Sequence, residues 1–406
     1  MIEIPLTRTD ALAIWREFLP RVGRYAKDRN YVHEQHLNVS LLSTAIRHRL
    51  ISEDQIIDET LNRYSFSTAE KWLQEICWRR YWKGWLERRP DVWTSWRNRV
   101  EQSTQIFSAE VLDRAAKVAT GQSGVACMDA LAHQLVEKGY LHNHARMWWA
   151  SFWIHAEKLP WELGADFFYR HLLDADPASN TLSWRWVAGL QTFGKTYTVR
   201  LSNLEKYADD SLLQHTAGNQ RIADGAFASQ AQEETADLHC AERLHYPDTL
   251  TENNLRSGLW LHSEDLLPEV GPFSRWQGEA IAVQSCEIKG ISGLRQKALA
   301  AVTADAVKRA TEHFNLPVTR LDQHEAIQEI LAWAKSNQLR EIIAFAPTIG
   351  AARDMLPSLT DALTKNNISL QFVRRRSDHD TYSYAQSGFF PYWKKMSQYL
   401  AQPTLL

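Results

Sequence analysis

The sequence predicts an α and α/β architecture, an all-helical half followed by a parallel-sheet α/β half, and three observations predict it. From Thr9 to about Arg200 apolar residues recur at helical spacing, as in Leu12, Trp15 and Leu19 or Leu131 and Leu135. After about residue 256 short apolar runs alternate with amphipathic segments, the rhythm of parallel strands joined by crossover helices. Between the two, Ala208 to Arg256 is rich in Ala, Gln, Asp, Ser and Asn and has no sustained apolar period, the composition of a linker or loosely attached excursion. With 406 residues, 44% of them hydrophobic, the chain has material for two cores. The expected division is a domain at 1–206, a linker at 207–256 and a second domain at 257–406.

The first half holds 13 of the 17 Trp, and three of its segments carry chemistry. Glu75 to Arg99 interleaves Trp78, Tyr81, Trp82, Trp85, Trp93 and Trp96 with Arg79, Arg80, Lys83, Arg88, Arg89, Arg97 and Arg99. Rings that stack on bases beside cations that neutralise phosphates suit an unstacked nucleic-acid strand. An amphipathic helix with buried Trp and a solvated basic face gives the same pattern. Leu141 to Trp153 sets Asn143, His144 and Arg146 ahead of a wide aromatic run on a predicted helix, and a buried Arg146 would demand a carboxylate. His142 and His144 are two apart, on different helix faces, which argues against a zinc site. Asp174 to Trp186 supplies two carboxylates two residues apart, a metal-holding or helix-capping pattern, then Trp-x-Trp.

In the second half the expected strands are Leu259–His262, Ile281–Ser285, Val318–Leu321, Ile342–Ala346 and Leu370–Val373. The expected helices are Leu294–His313, His324–Ser336 and Ala351–Thr364. The turn Ala346–Gly350 lies where doubly wound sheets place ligands, or is a plain strand-to-helix connection. Arg374, Arg375 and Arg376 could meet phosphate or form a solvated strand end. The net charge of −2 argues against a chain that coats nucleic acid along its whole length. Cys77, Cys127, Cys240 and Cys286 have no metal-ligand spacing, which fits a reducing, cytoplasmic setting. No apolar run reaches the roughly 18 residues that span a bilayer.

Four ordered blocks in the first half carry a family resemblance. They are Gly23-Arg24-Tyr25 followed by Val39–Ser43 and Leu50-Ile51-Ser52; Trp72 to Arg79; Asn143-x-x-Arg146-Met147-x-x-Ala150-Ser151-Phe152; and Asp174-x-Asp176-x-x-x-Asn180-x-x-x-Trp184-x-Trp186. Over roughly residues 1–206 the chain resembles the FAD-binding helical domain of the photolyase/cryptochrome family, closest to members that split cyclobutane pyrimidine dimers. The resemblance implies FAD held by Tyr25, the Val39-Ser40-Leu41-Leu42-Ser43 turn and Trp72. It implies a buried Arg146–Asp174 pair beneath the flavin ring, Asp176 at its polar edge and Asn180 opposite N5. It implies UV-damaged DNA, single- or double-stranded, as partner, with a flipped dimer between Trp78 and Trp186. Glu75, Asn143 and Met147 would shape that site, and Arg79, Arg80, Trp82, Lys83 and His144 would lie along the DNA-binding face. His144 stands where the family commonly has Arg.

Trp184 and Trp161 align with the first two members of the family's electron-relay triad. The third position falls on Ser108, and whether Trp148, Trp149 or Trp153 completes a different chain stays open. The second half resembles the family's Rossmann-like α/β domain at Gly258–Leu266 and Ser387–Met396. Family members place that domain first, so the chain looks circularly permuted. The domain often holds an antenna chromophore, a folate or deazaflavin, and no residue pattern here is diagnostic of one. The implied activity is light-driven repair by a deoxyribodipyrimidine photolyase; the alternative is a blue-light photoreceptor that binds FAD and signals through a partner.

Overall fold

Short polar side chains cap the start of several helices in the first half. Ser52 Oγ accepts a hydrogen bond from the Gln55 N–H at 3.1 Å, Ser65 Oγ from Thr68 at 3.3 Å, and Asp176 Oδ1 from Ser179 at 2.8 Å. Pro177 follows Asp176 at the first helical position, where its missing N–H costs nothing. In the computed structural model, which describes residues 3–192, 196–224, 240–242, 244–250, 255–321 and 325–401, the helices are α1 (Arg8–Phe18), α2 (Val22–Asp28), α3 (Ser43–Arg47), α4 (Glu53–Arg63), α5 (Phe66–Glu87) and α6 (Pro90–Glu101). They continue as α7 (Ser103–Ile106), α8 (Ala109–Ala119), α9 (Ala126–Lys138), α10 (Asn143–Ser151), α11 (Trp161–His171) and α12 (Pro177–Val187). Gly139 ends α9 at φ +63°, and a Cβ there would lie 2.6 Å from Leu173 Cγ. Glycine is therefore required at the turn that delivers His142 to the start of α10.

The segment expected to be a linker begins as packed structure. After α13 (Leu201–Tyr207) come the short helices α14 (Asp210–Leu213) and α15 (Gln220–Asp224), with Leu212 and Ile222 in the core. The Ala126 N–H donates to Ala217 O at 2.9 Å, tying this stretch to α9. Two isolated apolar side chains suffice to dock it, a signal too sparse for a periodicity argument. The remainder of the expected linker falls partly on 225–239, 243 and 251–254, which lie outside the described residues.

The second half is a five-stranded parallel sheet in the order β3-β2-β1-β4-β5, formed by β1 (Ser257–His262), β2 (Ala280–Gln284), β3 (Val318–Leu321), β4 (Glu341–Phe345) and β5 (Ser369–Val373). Every predicted strand is present within two residues of its expected bounds. β1, β2 and β4 are buried throughout, which is why they read as continuous apolar runs rather than alternating ones. The crossovers are α16 (Gly293–Phe314), α17 (Ala326–Ser336), α18 (Ala351–Asp354) and α19 (Leu356–Thr364). His324, the expected start of α17, lies outside the described residues. The helix expected over 351–364 breaks at Met355 because Pro357 lacks the N–H that would continue the ladder and sits instead in the first turn of α19. α20 (Arg376–Thr381) and α21 (Phe389–Leu400) follow β5.

One sheet face, through Trp260, Ala282 and Ala344, packs on Ile330 and Trp333 of α17 and on Leu359 and Leu363 of α19. The other face, through Leu259, Leu261, Ile281, Val283, Ile343 and Phe345, belongs to the same hydrophobic cluster as the helical half. The two halves thus share a core. No described helix is long and apolar enough to cross a membrane.

Candidate functional site

α10, α12 and the turn between α11 and α12 bring the polar residues of the third and fourth blocks together. His142 caps α10, its Nδ1 accepting from the His144 N–H at 3.1 Å. One turn on, Arg146 donates from Nη2 to Asp174 Oδ2 at 2.8 Å and from Nε to Leu141 O at 2.9 Å. Asp174 is buried and its second oxygen has no hydrogen-bond partner among the described residues. Asp176 uses Oδ1 to cap α12, while its Oδ2 accepts no hydrogen bond although Arg79 and Lys83 stand 3.6 Å away and Arg47 3.9 Å away. Burial pushes the Asp176 carboxyl up, but Lys83, Arg79 and Arg47 outweigh it and hold the pKa below the usual range. Asn180, one turn into α12, donates Nδ2 to Ala165 O at 2.9 Å.

The Val39–Ser43 turn enters α3 with Leu41 at φ +56°, a left-handed conformation that costs a branched side chain about 1–2 kcal/mol. The Leu42 N–H reaches Ser40 Oγ at 3.4 Å. Among the described residues, Ser43 Oγ, Thr44 Oγ1, Asn38 Oδ1, Arg47 Nη1 and both ring nitrogens of His36 are buried without hydrogen-bond partners, as is His142 Nε2. The stacked His36 and His142 rings, 6.0 Å apart, join these two stretches in space. Each such orphan costs about 1–3 kcal/mol, so a concentration of them on 36–47 and 142–176 fits a polar ligand. Hydroxyls, a free guanidinium nitrogen and buried carboxylates suit a group bearing phosphates, hydroxyls and a polar ring edge, which is what FAD offers. Tyr25 and Trp72 lie in an aromatic cluster instead: Trp72 is 5.0 Å from Tyr25, 5.2 Å from Phe18 and 5.8 Å from Trp15, with Nε1 donating to Thr60 Oγ1.

The histidine pair carries a pH prediction. Burial, reinforced by Lys138 and His33 and opposed by Asp209, lowers the His36 pKa to about 4. Burial, then His36, His144, Arg146 and His33, lowers His142 to about 3. The unfolded chain binds these protons near pH 6.5, so stability is full above that value and falls as pH drops from 6.5 towards 4 for His36 and towards 3 for His142. The urea-unfolding free energy of His36→Leu is expected to decline less between about pH 6.5 and 4.5 than that of the unaltered chain; equal declines would contradict the assignment.

The substrate-side residues are distributed differently from expectation. Arg80 and Lys83 are buried and Arg79 is nearly so: Arg79 pairs with Glu53, Arg80 with Asp54 at 2.7 Å, and Lys83 with Glu264 at 2.9 Å. These three are therefore not a DNA-facing basic surface; they neutralise internal carboxylates that sequence separation conceals. Trp82 is buried, and His144 is buried with Nδ1 on Asn30 O at 2.8 Å. Trp78 does not stand open: Phe389 of α21 stacks on it with centroids 3.6 Å apart and planes 9° apart. Trp186 stacks on Tyr197 at 5.8 Å, whereas the rings set against Trp78 are those of Phe389, Tyr81 and Trp82. Glu75 pairs at 2.6 Å with Arg29, the residue after α2, Asn143 is exposed and Met147 half-buried.

The indoles of the expected relay fall into two groups. Trp184 meets Trp149 edge-on at 6.2 Å, and Trp149 stacks on Trp153 at 5.1 Å. Trp161 is 6.4 Å from Trp96, which meets Trp93 at 5.2 Å. A Cβ on Gly164 would lie 2.4 Å from Trp184, so glycine lets the Trp184 ring close onto α11.

Sequence reasoning missed the buried ion network where the halves meet. Arg47 of α3 reaches Glu264 at 2.6 Å and Glu287 at 3.5 Å, and Arg49 reaches Asp265 at 2.8 Å and also pairs with Asp378 and Glu53. Arg374 pairs with Glu87, and Arg375 grips Asp265 through two 2.7 Å bonds, so these two are spent inside the fold and are neither a solvated strand end nor a phosphate contact, while Arg376 is exposed. Thr348, from the Ala346–Gly350 turn, lines a polar cavity with Arg49, Lys83, His262 and Asp378 that has room for about one water. The available signal was Arg47-His48-Arg49 embedded among apolar residues, since buried charges require partners.

The family-model match falls within the helical half and the short helices that follow it. Residues 72–211 match the family model for the FAD binding domain of DNA photolyase. The chain is 30% identical over 178 residues to the deoxyribodipyrimidine photo-lyase of Alkalihalophilus pseudofirmus, covering 44% of this chain and 36% of that one. It is 26% identical over 208 residues to the Escherichia coli protein of the same name, covering 48% and 41%. The chain thus spans about two fifths or less of the length of these relatives. A crystal structure of a bacterial class III photolyase from Agrobacterium tumefaciens aligns with TM-score 0.42 at 20% identity, covering 74% of this chain and 56% of that one.

Proposed function

We propose, from the match of residues 72–211 to the family model for the FAD binding domain of DNA photolyase, that this chain is a light-driven DNA-repair flavoprotein acting on cyclobutane pyrimidine dimers. The supporting observation is the Arg146–Asp174 bridge, with Asp174 Oδ1 and Asp176 Oδ2 buried and, among the described residues, without a hydrogen-bond donor. Bound FAD would supply a photoexcitable one-electron donor, the electron returning once the dimer ring has split. No acid or base need act on the dimer, so the residues' tasks are geometric and electrostatic. Arg146 and Asp174 fix the floor of the site; Asp176 sets the charge at one edge; Asn180 presents a neutral amide, its orientation fixed by Ala165 O. Trp184, with Trp149 and Trp153 in ring contact behind it, offers a path for electrons into the site. The same reading takes 1–206 and 257–406 as domains in an order permuted relative to the family, in a reducing cytoplasm that suits its free cysteines. An antenna chromophore gains no support from the cavity at the strand ends, which is too small for one.

The specific observation favouring the photoreceptor alternative is the Phe389 ring on Trp78. A stacked base is worth about 1–3 kcal/mol, and Phe389 occupies one of the two faces that could supply it. Phe389→Ala is therefore expected to tighten binding of dimer-containing oligonucleotide by about fivefold or more, as read by fluorescence anisotropy. Unaltered affinity would remove Trp78 from the contact surface. To test repair itself, prereduced protein is illuminated with dimer-containing single- and double-stranded oligonucleotide, and loss of the lesion is followed. Bound flavin with intact lesions would favour the photoreceptor, whose light-dependent partner binding would then be measured.

A further inference from the structure

The α/β half reaches the carboxylate proposed to face the cofactor, and it does so through two shared cations. Glu264 lies two residues beyond β1, in a turn clamped onto α3: the His48 ring bonds Ser263 O at 2.7 Å, and the Leu266 N–H donates to His48 O at 3.0 Å. That clamp carries the Glu264 carboxylate into the helical half, where Arg47 is 2.6 Å and Lys83 2.9 Å from it. The same two cations are the near neighbours of Asp176 Oδ2, but at 3.9 and 3.6 Å. In both cases the shorter contact goes to Glu264. Asp176 Oδ2, fully enclosed, is left with cations beyond hydrogen-bond reach and no donor.

We propose that Glu264 is a positioning residue for the cofactor site: by drawing Arg47 and Lys83 away from Asp176 it keeps that carboxylate free to accept a hydrogen bond from a ligand, and so couples docking of the α/β half to the electrostatics of the site. The proposal rests on the FAD reading for its consequence, but not for the shared cations themselves. Both carboxylates are held ionised. Burial raises each, yet Arg47 and Lys83 at Glu264, and Lys83, Arg79 and Arg47 at Asp176, outweigh it. Removing Glu264 would leave one surplus positive charge in a buried cluster and let both cations close on Asp176.

Two measurements on the full chain test this. In the holoprotein, Glu264→Gln is expected to move the flavin reduction potential to more positive values and to weaken FAD retention by about fivefold or more. Asp265→Asn is the control: it is the adjacent interface carboxylate, its partners Arg49 and Arg375 do not pair with Asp176, and it is expected to leave the potential in place. If Glu264→Gln does not fold, Glu264→Asp keeps the charge but withdraws it by one methylene, and is expected to shift the potential in the same direction by less. In the apoprotein, Glu264→Gln and Asp176→Asn are combined in a double-mutant cycle of urea midpoints. Each single change leaves Lys83 one of its two carboxylates and the pair leaves it none, with Arg47 keeping only the longer contact to Glu287 at 3.5 Å, so the double change is expected to cost more than the sum. Additive costs, or a potential that responds alike to Glu264→Gln and to Asp265→Asn, would overturn the proposal. A chain that binds no flavin would sink the cofactor reading alone, with the cycle still deciding the coupling.

Discussion

Replacing Arg47 by methionine is expected to lower the unfolding free energy by about 3–5 kcal/mol, the usual cost of removing one partner from a buried ion cluster. The side chain is 1% exposed and serves Glu264, Glu287 and Asp176 at once, while its Nε donates to Ala175 O at 2.9 Å. Methionine keeps much of the volume but leaves three enclosed carboxylates to Lys83, Arg79 and Arg295. Because Arg47 lies in α3 and two of its partners lie in the α/β half, the loss falls on the contact between the halves. Adding Glu264→Gln to Arg47→Met is expected to restore part of the stability, since it removes the negative charge that lost its closest partner. A urea midpoint within error of the unaltered chain would contradict the network's importance.

Asp174→Asn is expected to weaken FAD retention by about 10–100-fold, corresponding to the roughly 1.5–3 kcal/mol of a hydrogen bond to a charged group. Arg146 would keep its bond to Leu141 O but lose the 2.8 Å carboxylate contact that holds its guanidinium in place. The side chain of Arg146 is 23% exposed, so water can solvate it and the stability loss is expected to be smaller than for Arg47. Equilibrium dialysis against FAD separates the two effects. Retention equal to that of the unaltered chain would remove the pair from the site.

Which features were legible follows from how far their determinants lie along the chain. β1, β2 and β4 were legible because burial on both faces makes short continuous apolar runs, while the edge strands β3 and β5 were legible from their place in the strand–helix rhythm. The Arg146–Asp174 pair was legible in part: a buried Arg on an apolar helix demands a carboxylate and the segment from Asp174 offered candidates, while the choice of Asp174 came from the family resemblance. α21 was legible in principle: Phe389, Tyr392, Trp393 and Met396 fall at i, i+3, i+4 and i+7, a helical stripe. Its effect on Trp78 was not, since no local rule links α5 to a helix near the far end of the chain. The ion network was equally hidden. Arg79, Arg80 and Lys83 read as a basic surface beside aromatics, and only the fold shows Glu53, Asp54 and Glu264 waiting for them.

The central claim, that the helical half holds FAD, is tested most directly by the absorption spectrum of the purified full-length protein, followed by heat release of any bound chromophore and its quantitation. The account predicts flavin bands in the near-ultraviolet and blue, and close to one FAD per chain. A colourless protein that takes up no FAD on reconstitution would contradict it.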